Sequence, residues 1–211
     1  MDYKKEDLKE DTLFATPFWH GNLKHIDNNA LEKWILDIKE KDAGRTVSNY
    51  GGWQSPFISN LQEQGEDVSV FMDLVFAIRE SLLLIKFKNI PNDSVMTMWA
   101  NINNKGDWNQ MHHHIDAFGT SVSGIYYVKC PKDCGRFVYK DPRPVMSLDP
   151  FVKNWNMSGL HHRTPKAGDF YMFPPYLEHM VEPSESEETR ISIAWNVKFE
   201  AELERGMYDA S

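Results

Sequence analysis

The chain reads as an α+β protein, mainly β in its second half, in which supporting helices come first and a largely antiparallel pair of sheets follows. Three observations predict this. Before residue 90, two stretches repeat apolar residues at spacings of three and four. After residue 91, five short runs rich in β-branched and aromatic residues are separated by Gly, Pro and Asp. At 211 residues, 41% apolar and 13% aromatic, the chain has material for one sizeable core, which excludes a disordered chain.

A single domain over residues 1–211 is expected, with a polar tail at 1–12, a helical support region at 13–90, a β core at 91–200 and a C-terminal tail at 201–211. Asp27 or Asn28 caps a helix running to about Asp42, with Leu31, Trp34, Ile35 and Ile38 on one face and Ala43-Gly44 ending it. An irregular stretch, Ser48 to Ser55, contains Gly51 and Gly52 and reads as tight turns. The second helix spans about Glu66 to Phe87 and carries Val70, Phe71, Leu74, Val75, Ile78, Leu82 and Ile85. The strands are read as Val95–Asn103, Ser121–Lys129, Arg136–Lys140, Asp169–Phe173 and Arg190–Phe199.

Charge and hydropathy narrow the partners. A net charge of −8 with no dense Lys/Arg block argues against nucleic acid. The most apolar window, Val68 to Phe87, is broken by Asp73, Arg79 and Glu80, so no membrane span is expected. The N-terminal residues carry both charge signs and no apolar signal core, which predicts a cytoplasmic protein. Cys130 and Cys134 make no disulfide framework, and as half a zinc site they lack a second pair; they are read as structural or incidental.

The chemistry is concentrated in the histidines. His112, His113 and His114 are consecutive and are followed by Ile115-Asp116. Residues two apart in extended chain share a side, so His114 and Asp116 can reach one metal while Ile115 points away. His112 competes with Asp116 as the partner of His114, because it too is two residues off; Asp116 is preferred because a carboxylate lowers the charge of the site. His179, after the strand ending at Phe173, supplies a third ligand. Two histidines and a carboxylate on one face of a metal leave open positions, the pattern of non-haem iron(II) oxygenases. His113 should face away, and His161-His162 fall in a Gly- and Pro-flanked loop with a structural or surface role.

Arg190 and Ser192 open a strand eleven residues beyond His179 and share one face of it. A guanidinium fork and a hydroxyl suit the far carboxylate of 2-oxoglutarate. Each motif is common by chance. Their conjunction predicts an oxygenase that uses Fe(II), 2-oxoglutarate and O2, with ascorbate as the reductant in vitro.

The residues also carry a resemblance over nearly the whole chain. It runs through Leu13-Phe-Ala-Thr-Pro17, Ser48-Asn-Tyr-Gly-Gly-Trp-Gln-Ser55, Trp108-Asn-Gln-Met-His-His-His114 and Ser123-Gly-Ile-Tyr-Tyr-Val128. It continues through Gly135-Arg-Phe-Val-Tyr-Lys-Asp-Pro-Arg143, Gly168 to His179, and Arg190-Ile-Ser-Ile-Ala-Trp-Asn196. These segments resemble a family of 2-oxoglutarate/iron(II) oxygenases of bacteria and marine phages, related to prolyl hydroxylases. The resemblance implies a double-stranded β-helix (jelly-roll) core with supporting N-terminal helices and the metal in the barrel mouth. Many members carry His-x-His where this chain reads His112-His-His-Ile-Asp116, which separates the first ligand pair from the more regular His179 and Arg190. Tyr126 or Tyr127 resembles the tyrosine that helps hold 2-oxoglutarate, with Tyr127 preferred. Asn101, Asn103 and Trp195 are further pocket candidates.

The function expected is hydroxylation of a protein side chain, such as a peptidyl proline, or of a small molecule. Kinship alone favours proline, and if the gene is a phage's the compartment is the host cytoplasm. Two other classes compete. A non-catalytic jelly-roll binding protein would form no succinate. A cupin-type metalloenzyme would leave Arg190 and Ser192 without a task.

Overall fold

Residues 15–84, 94–115, 119–143 and 159–199 are described in a computed structural model of the chain. The first helix, α1 (Asn28–Lys41), starts at Asp27, whose carboxylate accepts from the backbone N–H groups of Asn29 and Ala30, both at 3.1 Å. Leu31, Ile35 and Ile38 form its buried stripe, each contributing roughly 1.5–3 kcal/mol of apolar burial. Gly44 follows with φ +80°, and a side chain there would meet the Trp53 ring 2.4 Å away.

A short helix that the sequence reading did not expect, α2 (Ile58–Glu63), comes next. The second expected helix begins later than its apolar pattern suggests. Asp67 accepts from Ser69 N–H, a 3-10 turn covers Ser69–Phe71, and only then does α3 (Met72–Leu84) run. Such an Asx turn competes with helix for the same backbone groups, which explains the late start. Residues 85–87 of the expected helix lie outside the described residues.

The strands are β1 (Trp19–Asn22), β2 (Asn49–Tyr50), β3 (Trp53–Gln54), β4 (Val95–Asn103), β5 (Trp108–His112) and β6 (Val122–Lys129). They continue with β7 (Phe137–Lys140), β8 (Leu160–Arg163), β9 (Asp169–Phe173), β10 (His179–Val181) and β11 (Arg190–Lys198). Two antiparallel sheets form, one ordered β1-β9-β6-β11-β4-β3 and the other β2-β5-β10-β7-β8. This is the double-stranded β-helix that the resemblance implies.

Burial on both sides sets the character of the larger sheet. Met98, Ala100, Ile102, Tyr126, Val128, Phe170, Met172, Ile191, Ile193 and Trp195 pack with the buried residues of the three helices. The alternate residues Ile125, Tyr127, Tyr171 and Phe173 pack with Phe137 and Leu177 between the sheets. Hence β6 and β11 are buried along most of their length, as strands covered on both faces are.

Two expectations are corrected. His161 and His162 lie in β8, paired with Tyr139 and Val138, and not in a loop. As an edge strand, β8 keeps exposed polar residues and so lacks the apolar signature of a strand. The stretch read as irregular turns between Ser48 and Ser55 contains β2 and β3, each of two residues, around the left-handed Gly51 and Gly52.

Candidate active site

Between the sheets lies a cavity of about 240 Å³, and period two along the strands determines what faces it. From β11 it receives Arg190, Ser192, Ala194 and Asn196; from β4, Trp99 and Asn101. The five-stranded sheet contributes Asn109, His112 and His179.

A β-bulge makes that last set possible. His179 pairs with His112, but Val181, two residues on, pairs with Asn109, three residues back. One extra residue on β5 therefore turns both Asn109 and His112 into the cavity, a common role of bulges beside active sites. Beyond the strand, His114 N–H donates to Pro175 O at 2.8 Å, which fixes the chain as it leaves the sheet.

The structure brings His112, His114 and His179 together, with one ligand nitrogen from each lying within 4.8 Å of the others. Each ring is oriented through Nδ1. His112 Nδ1 is 2.7 Å from Gln110 O, His179 Nδ1 is 2.8 Å from Leu177 O, and His114 Nδ1 is 2.6 Å from Asn196 Oδ1. Every partner is an acceptor, so each Nδ1 carries the proton and the ring lone pair is on Nε2, as a metal ligand requires. Asn196 Oδ1 also accepts from Ser123 Oγ at 2.8 Å, which fixes the amide.

Burial, and then the neighbouring His112 and His114, hold the His179 pKa well below the usual histidine value. Burial also lowers that of His112. Both rings are thus kept neutral and ready to coordinate. His113 is exposed but lines the rim of the cavity, whereas it was expected to face away. Asp116 lies outside the described residues.

The far end of the cavity is built for an anion. Arg190 is 2% exposed, and no carboxylate pairs with it among the described residues. Its guanidinium donates to Asn103 Oδ1 at 2.7 Å and to Cys134 O at 3.4 Å, while Nε is buried without a partner. The hydroxyl of Tyr127 is buried and unpartnered too. Burial raises the Tyr127 pKa well above its usual value, against the pull of Arg190, so the phenol remains a donor. Ser192 lines the same wall and is 1% exposed. An unpaired buried cation beside orphaned donors is costly unless a ligand carboxylate completes the set, and 2-oxoglutarate would do so.

Tyr126 faces the helices and donates to Asn28 Oδ1 at 2.7 Å, so Tyr127 is the tyrosine of the pair on the cavity side. Asn101 lines the cavity as expected, whereas Asn103 acts behind it on Arg190. Trp195 is corrected: it is fully buried on the helix side, stacked on Phe170. Its odd position on β11 dictates this, since Ser192 and Arg190 occupy the even ones. Sequence reading missed Asn196, Asn109 and Gln54; the parity of Asn196 with Arg190 and Ser192 was the available signal.

Residues 97–196 match the family model described as "Putative 2OG-Fe(II) oxygenase". This β core is similar to the 2-oxoglutarate–iron(II) oxygenase family. No curated protein matches the chain by sequence. Among solved structures, the chain resembles a Pseudomonas putida prolyl-4-hydroxylase at 14% identity, over 90% of this chain and 96% of that one, with a TM-score of 0.61. A Trichoplax adhaerens prolyl hydroxylase, in complex with a hypoxia inducible factor peptide fragment, matches at 13% identity over 87% and 84% of the two chains, with a TM-score of 0.62. The viral collagen prolyl hydroxylase of Paramecium Bursaria Chlorella virus-1, as its 2OG complex, matches at 15% identity over 85% and 94%, with a TM-score of 0.58. At these identities the likeness is one of fold. No helix among the described residues is long and apolar enough to cross a membrane.

Proposed function

We propose that the protein is an iron(II)- and 2-oxoglutarate-dependent hydroxylase acting on a peptidyl proline or another protein side chain. The observation that carries this is the pairing of two sites in one cavity: converging histidines at one end, and at the other a buried arginine with no carboxylate partner among the described residues. When bound, iron(II) with 2-oxoglutarate and O2 supplies the oxidation of an unactivated C–H bond, the keto acid leaving as succinate and CO2.

The chain's residues supply geometry and dryness. His114 and His179 are two of the ligands. His112, whose nitrogen converges with theirs, is the third ligand in the reading favoured by the described geometry; Asp116 is the alternative, as the carboxylate of the usual facial set. Arg190 and Ser192 receive the far carboxylate, and Tyr127, held protonated, donates to it. Ile125, Phe137, Phe173 and Val181 wall the cavity against water. Trp99, Val47 and Ile115 line it beside the histidines, where a side chain could approach. The substrate class rests on the fold shared with prolyl hydroxylases, one of them solved with a peptide fragment.

The test is succinate formation by purified protein with iron(II), 2-oxoglutarate, ascorbate and oxygen, beside an Arg190→Ala control. Slow uncoupled turnover that disappears in the control is expected. Failure to bind either iron or 2-oxoglutarate would return the protein to the class of non-catalytic jelly rolls. Metal affinities of His112→Ala and Asp116→Ala assign the third ligand, since the true ligand's loss lowers affinity sharply and the other's does not.

A further inference from the structure

Five carboxamides converge on the cavity and its back wall, and three of them are committed. Asn103 accepts from Arg190 at 2.7 Å. Asn109 accepts from Asn103 Nδ2 and donates to Ser48 Oγ, both at 3.4 Å. Asn196 holds His114 and Ser123. The other two, Gln54 and Asn101, have side chains with no hydrogen-bond partner among the described residues. Yet they are 7% and 8% exposed, and both line the cavity.

Their position is set by register. Gln54 on β3 is opposite Asn101 on β4, Asn101 is opposite Ser192 on β11, and Ser192 is opposite Tyr127 on β6. One polar row therefore crosses the larger sheet, from the anion end at Tyr127 and Ser192 to two idle amides at the β3 edge. Both amide groups open onto the cavity, where a ligand group can replace the water that would otherwise serve them.

From this arrangement we infer that Gln54 and Asn101 form a substrate-recognition pair for a neutral group that both donates and accepts, namely a peptide or primary amide beside the oxidised carbon. A carboxylate offers acceptors only, so it could take the amide N–H groups but would leave both amide oxygens unmatched. An amide presents a donor and an acceptor together and can match both side chains at once. The cofactor's carboxylate needs donors, which Arg190, Ser192 and Tyr127 already provide. The inference rests on the hydroxylase reading and adds to it the chemistry of the group recognised.

The experiment uses the full chain loaded with Mn(II) and 2-oxoglutarate under anaerobic conditions. Binding of N-acetylprolinamide and of N-acetylproline is compared by ligand-observed NMR. The amide should bind about three- to tenfold more tightly, the scale of one neutral hydrogen bond. Gln54→Leu and Asn101→Leu should each reduce that preference, with 2-oxoglutarate affinity within about twofold of wild type on the same scale. The near-isosteric Gln54→Glu keeps the shape and removes the donor, so it should lose the preference while still folding. Equal or tighter binding of the acid, binding of neither probe, or a preference that survives the double Leu variant would overturn the inference. So would a tenfold loss of 2-oxoglutarate affinity in the Leu variants, because the amides would then serve the cofactor. If wild type binds neither Mn(II) nor 2-oxoglutarate, the hydroxylase reading itself falls, and this inference with it.

Discussion

Replacing Arg190 with methionine separates ligand binding from fold stability, because the two should respond differently. The guanidinium is buried, with no carboxylate paired to it among the described residues, and only Asn103 and the Cys134 carbonyl accept from it. For the cofactor, Arg190→Met removes a fork of charge-assisted hydrogen bonds in a dry site, about 3–5 kcal/mol. That is about two to three and a half powers of ten in 2-oxoglutarate affinity. For the ligand-free fold, the same change removes a desolvated charge of similar volume to the new side chain, which is stabilising. It also strands Asn103 Oδ1, at about 1–3 kcal/mol. The two effects oppose, so the ligand-free melting temperature should move little. Calorimetric titration of 2-oxoglutarate into Mn(II)-loaded protein, with melts in the presence and absence of the acid, measures both quantities. The variant should show a near-native melt and lose the rise in Tm that 2-oxoglutarate gives wild type. A variant that bound the acid within about threefold of wild type, less than one hydrogen bond's worth, would refute the assignment of Arg190.

Three other changes probe different parts of the structure. Asn196→Leu removes the acceptor that orients His114 and should cost about 10- to 100-fold in metal affinity, read by competition with a chelating dye; an unchanged affinity would mean that the Pro175 tether orients His114 by itself. Gly124→Ala would place a methyl carbon 2.1 Å from the buried Trp195 ring and should destabilise the fold by at least about 1–3 kcal/mol in urea. The pH dependence of the metal-free protein should follow His179, whose pKa is lowered chiefly by burial from the ordinary 6.5. Below that value the unfolded chain takes up a proton that the folded site refuses, so stability is full above it and is lost as pH falls toward the lower folded value. His179→Leu should flatten this slope between pH 7.5 and 5.5 in chelator, and an unchanged slope would place the titration elsewhere.

How much of this was legible in the sequence depended on which side of a residue was doing the packing. β4 and β9 fall where their apolar, β-branched runs place them, and β6, β7 and β11 lie within a residue of expectation at each end. These strands are held by apolar neighbours, so their composition shows their state. β5 and β10 were invisible as strands because they carry His112 and His179 inward, and the bulge at β5 breaks period two where it would be sought. α2 follows Phe57, with no side-chain cap to mark its start. Arg190, Ser192 and His179 were recognisable by residue type and spacing. What holds them was not: Arg190 rests on Asn103, 87 positions away in sequence, and His114 on Asn196, 82 away. Contacts at that range belong to the sheet register, which no local window contains.

The division of the site between the two sheets makes the cavity a gauge of molecular length. The histidines belong to β5, its continuation and β10, in the smaller sheet, whereas Arg190, Ser192 and Tyr127 belong to the larger one. A ligand that reached both the histidines and the arginine would have to bridge a gap fixed by the packing of Phe137, Tyr171 and Phe173 between the layers. Close-packed aromatic rings do not yield by the length of a methylene without strain. The core that keeps the sheets apart thereby also sets how far the histidines stand from the arginine.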